Sequence, residues 1–252
     1  MIQYEKYNLE RSTLVFSPHP DDETLGCGGT IIRKKQAGAD VKIVFMTDGS
    51  TSHSHLMPAN KLKAIRASEA LAAAQKLGVE ASDVIFLEVK DGTLANHQDA
   101  ASKRVVEIIL KYLPEEIFIP YYQDGISDHN ATNTVVVSAL KQSGLNATVY
   151  EYPIWFWNQW PWTDCGRESQ KLLPFLQDSL RSGLRFLNDF RCSVYIGDVL
   201  ELKRTALEQH KSQMVRLINN SRWLTLGDVS KGEFLKCFFQ ETEIFYRYKI
   251  EV

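Results

Sequence analysis

The chain has 252 residues, 44% hydrophobic and 24% charged, with a formal charge of −2 and a pI near 6.3. That composition suits one α/β domain and lacks the Lys/Arg excess of a nucleic-acid binder. No apolar run approaches the ~20 residues of a membrane span, and MIQYEKYNLERS has no apolar stretch of signal-peptide length, so the expected compartment is the cytoplasm. Cys27, Cys165, Cys192 and Cys237 show no CxxC spacing and are expected to be reduced and structural.

STLVFS (12–17) is short and β-rich, a buried strand, and residues 23–38 follow as helix. DVKIVFMT (40–47) is a second strand, and 59–78 a helix stopped by Gly78. DVIFLEV (83–89), a helix over 98–112, EIFIPYY (116–122), a helix over 128–143 and ATVYEYP (147–153) continue the alternation. Strand and helix at this spacing mean βαβ units, a mostly parallel sheet and, with right-handed crossovers, a doubly wound, Rossmann-like order of 3-2-1-4-5. After Pro153 the pattern breaks into an aromatic stretch (154–162), helices over 168–190 and 198–218, and strands at 192–199 and 242–250. With no linker in view, the expectation is one domain over 1–252: a core of about 10–153 and a cap of mixed helix and strand over about 154–252.

In an open parallel sheet, ligands bind at the carboxyl ends of strands, where the strand order reverses. Here that point lies between strands 1 and 4. SPHPDDETLG (17–26) places His19, Asp21 and Asp22 just past strand 1, and YYQDGISDHNAT (121–132) places Asp124, Asp128 and His129 past strand 4. Adjacent carboxylates repel unless something positive sits among them. Two imidazoles and one carboxylate make the protein half of a catalytic zinc site, with a position left open for water. The second aspartate of the pair then suits a general base.

HPDDE (19–23) resembles the signature of the PIG-L/LmbE-like family, zinc-dependent de-N-acetylases of GlcNAc-bearing molecules. The likeness runs on through VFMTDGS (44–50), KAIRASEALAAAQKLG (63–78), FLEVKDGTL (86–94), DHNAT (128–132) and ALEQHKSQ (206–213). It implies His19, Asp22 and His129 as ligands of Zn2+ or another divalent metal, and Asp21 as the base. Asp128 would orient a neighbour of the site, and Arg66 and Asp91 would lie near the sugar. The implied substrate is a small N-acetylated amino sugar or glycoconjugate; the oligomeric state is left open. One position departs from the family pattern. Ile126 stands where relatives carry the first histidine of H-x-D-H, and His210 is the expected replacement, ahead of Asp124, Tyr121 and Tyr122.

Ile126 keeps open a metal-dependent hydratase or other hydrolase. A non-catalytic metal-stabilised protein that binds a sugar or nucleotide is the third reading, and Asp21 argues against it. GCGG (26–29) is not a dinucleotide fingerprint, because the third glycine position is Ile31; close packing of helix and sheet is expected there. Arg66 and Glu69 could instead form an exposed helical ion pair, and Asp91-Gly92 a plain turn. At least half of Trp155, Phe156, Trp157, Trp160 and Trp162 are expected in the core, with a sugar-stacking wall or an interaction patch as alternatives. His53 and His55 are expected to be solvated, with a loop that rims the pocket as the alternative.

Overall fold

A computed structural model describes residues 2–4, 6–159, 161–163 and 182–252. Its strands are β1 (Ile2–Gln3), β2 (Thr13–Ser17), β3 (Val41–Thr47), β4 (Val84–Val89), β5 (Glu116–Pro120), β6 (Ala147–Tyr152), β7 (Cys192–Tyr195) and β8 (Thr242–Ile250). They form one sheet in the order β1-β7-β8-β6-β5-β2-β3-β4. The segment β4-β3-β2-β5-β6 is parallel and reproduces the expected 3-2-1-4-5 arrangement. β8 runs antiparallel to both β6 and β7. The part of the chain after β6 therefore extends the sheet at one edge as well as covering it.

The helices of the core are α1 (Asp22–Gln36), α2 (Ala59–Lys76), α3 (Gln98–Tyr112) and α4 (Ser127–Ser143). Alternation along the strands sends side chains to opposite faces. Val15, Ile43, Phe45 and Phe118 pack with Leu25, Ile31 and Ala74 from α1 and α2. Leu14, Phe16, Val44 and Ile117 pack with Val105 and Ile109 of α3 and Val135 and Leu140 of α4. Helices on both faces leave the carboxyl edge of the sheet open between β2 and β5.

The glycines of α1 set how closely that helix lies on its neighbours. A Cβ on Gly26 would stand 2.3 Å from the Tyr152 ring, and one on Gly29 would stand 2.6 Å from Ile196. The helix is also broken at Cys27 (φ −144°, ψ 19°). Glu243 of β8 repairs the break: its carboxylate accepts the N–H groups of Gly29 and Thr30, both at 2.8 Å, and the Thr30 hydroxyl at 2.6 Å. Lys203, buried with it, pairs with Glu243 at 2.8 Å.

The expected helix over 168–190 is seen as α5 over 182–189, the remainder lying outside the described residues. The long helix expected over 198–218 is instead two short ones, α6 (Leu200–Leu207) and α7 (Lys211–Met214). Side chains end the helical run. Glu69 on α2 accepts both the N–H and the hydroxyl of Ser212, at 2.8 and 2.6 Å, and His210 turns inward between the two pieces. Local polar groups of this kind offer the backbone an alternative to the helical ladder. A last short helix, α8 (Glu233–Lys236), brings Phe234 against Trp155.

Candidate metal centre and active site

His19 and Asp22 follow β2 directly, and His129 lies in the first turn of α4, after β5. Three atoms face one another there. His19 Nδ1 is 3.1 Å from Asp22 Oδ2, Asp22 Oδ2 is 3.2 Å from His129 Nε2, and His129 Nε2 is 3.3 Å from His19 Nδ1. A tetrahedral cation with bonds of roughly 2.0–2.1 Å needs ligand atoms about 3.3–3.4 Å apart, close to this triangle. The other nitrogen of each ring is committed elsewhere. His129 Nδ1 donates to Asp124 at 2.7 Å. His19 Nε2 faces Asp91 at 3.3 Å and Asp128 at 3.5 Å. Those carboxylates favour protons on the outer nitrogens, leaving the lone pairs of the triangle free for a cation.

Without a cation the three groups hold charge against burial. Burial alone would raise the Asp22 carboxyl, but the charges and hydrogen bonds of His129 and His19 outweigh it and hold it well below the usual carboxylate range. Burial lowers His129, yet Asp22 and Asp124 bring its pKa up to about 9. Asp124 is itself fixed by the N–H groups of Ile154, Trp155 and Phe156, at 2.9, 3.0 and 2.8 Å. Asp128 accepts the N–H groups of Gly92 and Leu94, at 2.7 and 3.1 Å, which ties the loop after β4 to α4.

Asp21 sits beside the triangle without belonging to it. Its backbone is unusual, with φ 135° and ψ −29°. Such a conformation costs a non-glycine residue about 1–3 kcal/mol. Arg66 reaches across from α2 to pair with Asp21 Oδ1 at 3.1 Å, and also donates to the carbonyls of Pro20 and Gly49. Gly49 has φ +60°, and a Cβ there would lie 2.8 Å from the guanidinium, so glycine is what lets Arg66 pass. Burial pushes the Asp21 carboxyl up to about 6, with Arg66 pulling the other way. Arg66 and Glu69 are both buried and do not form the exposed pair considered as an alternative.

The site opens into a cavity of about 200 Å3. Its polar wall includes His19, Asp21, Asp22, Arg66, Asp91 and Gln213, and its apolar wall Leu25, Ile126, Ile154, Trp155, Leu226 and Phe234. Ile126 faces the cavity, so an apolar side chain occupies the histidine position of the resembling pattern. Asp91 lines the cavity, but Oδ1 also backs His19 and Oδ2 accepts the Thr51 N–H at 2.9 Å. Asp128 and His210 are not among the lining residues. His210 is buried behind the wall with Nε2 3.2 Å from Glu23, a poor position for handing a proton directly to substrate.

Trp155 stacks on Phe234 with ring centres 5.0 Å apart, while Phe156 is buried with Tyr121 and Phe190. Trp160 lies outside the described residues. His53 is not solvated as expected: it stacks on Trp223 at 4.2 Å and hydrogen-bonds the Leu224 carbonyl, whereas His55 is exposed. Three contributors escaped the sequence reading of the site. Glu23 and Gln213 stand in the sequence only as members of the HPDDE and ALEQHKSQ segments. Phe234 carries no sequence signal, because a lone phenylalanine beside a short helix looks like core.

Residues 14–140 match the family described as PIG-L: GlcNAc-PI de-N-acetylase, just over half of the chain. A diacetylchitobiose deacetylase from Thermococcus kodakarensis is 26% identical over 214 residues, covering 83% of this chain and 72% of that one. A 1D-myo-inositol 2-acetamido-2-deoxy-alpha-D-glucopyranoside deacetylase from Rhodococcus opacus is 24% identical over 259 residues, 88% of each chain. In structure, the N,N'-diacetylchitobiose deacetylase of Pyrococcus horikoshii superimposes with a TM-score of 0.67 at 22% identity, over 94% of this chain and 84% of that one. At that identity the superposition shows a shared fold.

Proposed function

The chain belongs to the PIG-L family, and from that premise we propose that it is a zinc-dependent hydrolase that removes the acetyl group from an N-acetylglucosamine-type amino sugar or its conjugate. Support comes from the family match, from relatives named as deacetylases of acetylated amino sugars, and from the geometry of the centre. The observation that carries the reading is Asp21: a buried carboxylate in the cavity, beside the ligand triangle and outside it. A purely structural cation site has no use for such a group.

In this reading His19, Asp22 and His129 hold the cation, which when bound supplies an acidified water and polarises the acetamide carbonyl. Arg66 occupies Oδ1 of Asp21, so Oδ2 takes the proton of the attacking water and returns it to the departing amine. Arg66 also lines the cavity, so its guanidinium edge stands where a sugar hydroxyl would lie. Asp124 and Asp128 keep the two imidazoles in the tautomers that ligation requires. Asp91 reaches the cavity from behind His19, and we assign it to both partners.

We read the whole chain as one catalytic unit, because α8 and the aromatic segment after β6 complete the cavity wall. We place it in the cytoplasm on the free thiols of Cys27 and Cys192; no helix among the described residues is long and apolar enough to cross a membrane. The test is a panel of N-acetylated amino sugars, including chitobiose and inositol conjugates, assayed for free amine and acetate with and without chelator. Zinc-loaded wild type should release both, and Asp21→Asn should not. Absence of amine from every conjugate would end the deacetylase reading. Ile126 favours one rival, hydration at the same centre, which consumes substrate without releasing acetate.

A further inference from the structure

His210 and Glu23 are buried ionisable groups that the mechanism above leaves without a task. Glu23 is fully enclosed, and its carboxylate links the turn carrying Asp21 to His210. Its Oε2 accepts the Asp21 N–H at 3.0 Å and the Ser17 hydroxyl at 3.3 Å. The Glu23 N–H in turn donates to the Ser17 oxygen at 3.1 Å. Its Oε1 accepts from Thr24 at 2.7 Å and from His210 Nε2 at 3.2 Å. His210 is delivered by the break between α6 and α7, more than 180 residues further along the chain.

We propose that His210 and Glu23 form a positioning pair that holds Asp21 in its left-handed backbone conformation and so aims its carboxylate. The inference rests on the reading of Asp21 as the proton acceptor. Two clamps act on that residue. Glu23 takes its N–H, and Arg66 takes its Oδ1 together with the preceding carbonyl of Pro20. A strained φ persists only when its surroundings over-determine it. His210 supplies the outer end of the first clamp. With its ring removed, the Glu23 carboxylate loses a donor in a site that water does not replenish, rotates toward whatever donors remain, and releases the Asp21 N–H. His210 thus acts through Glu23 and never meets the substrate.

The test compares His210→Leu, which removes the donor, with His210→Gln, which keeps an N–H of similar reach; His210→Phe replaces the leucine variant if that one does not fold. In crystal structures the leucine variant should show Asp21 relaxed to negative φ and parted from Arg66, and the glutamine variant should keep both. With zinc bound, His210→Leu should lose kcat by about 100-fold, the scale of a misplaced reacting group, at nearly unchanged KM and zinc content. His210→Gln should recover most of it. An unmoved Asp21 in the leucine variant overturns the pairing. So does a glutamine variant as inactive as the leucine one, which would make His210 a direct proton donor. If wild type itself proves inactive on acetylated sugars, the proposed function fails, and the Asp21 backbone in the variants still decides the pairing.

Discussion

At Asp124 one carboxylate accepts four hydrogen bonds: three backbone N–H groups from Ile154 to Phe156, and His129 Nδ1. The backbone donors fix the carboxylate, and the carboxylate fixes the imidazole. Asp124→Asn should therefore weaken zinc binding by about 10–100-fold, measured by competition with a chromogenic chelator. Binding should also depend on pH in a set direction. Burial lowers His129, but Asp22 and Asp124 raise it to about 9 in the metal-free protein. Below that pH the ring carries a proton that ligation must displace, so affinity should climb with pH toward about 9. Calorimetry in buffers of different ionisation enthalpy should show that proton released. The metal-free fold has the opposite trend: His129 contributes stability fully present below its unfolded pKa, near 6.5, and lost as pH rises through about 9. Asp21→Asn should lower kcat by at least about 100-fold while leaving zinc content unchanged. The acid limb of wild-type kcat/KM should fall at or below about pH 6, since burial raises Asp21 and a neighbouring cation pulls it back. The convergence of His19, Asp22 and His129 was legible because charged residues at two matching strand ends have few other reasons to be there. The tasks of Asp124 and Glu23 were not, because carboxylates in loops look alike until the donors around them are known.

α1 shows what glycine does for an element. Gly26→Ala would drive a methyl group into the Tyr152 ring, at a site where Tyr152 is itself buried and hydrogen-bonded to the Phe16 carbonyl. Urea denaturation should register a loss of about 1–3 kcal/mol, the usual scale of overpacking. Because the same helix begins at Asp22, zinc affinity should fall with it. The core elements were readable from periodicity, since buried parallel strands and amphipathic helices alternate from 13 to 152. The division of 198–218 was not. It depends on Glu69 and Glu23, side chains more than 100 residues away that capture Ser212 and His210. A local pattern cannot register a distant hydrogen bond.

Across the whole molecule, the centre joins two loops about 100 residues apart in the chain, at the point where the sheet reverses its strand order. A cation gripping both should bind the folded form alone and raise its stability, by about 2.7 kcal/mol at 100-fold excess over Kd. Differential scanning fluorimetry should show Tm climbing with zinc in wild type and hardly moving in His129→Ala. The order of the five central strands followed from right-handed crossovers. The antiparallel β8 and its place beside β6 did not, because an alternating segment at that distance pairs equally well on paper with either edge. Its position ties the first helix of the core to the last strand of the sheet. Every proposed zinc ligand has been synthesised by position 129, yet the broken helix under Asp22 waits for the carboxylate of Glu243. A chain ending short of β8 should therefore carry the three proposed ligands on an unsupported helix and bind zinc less tightly than the whole chain.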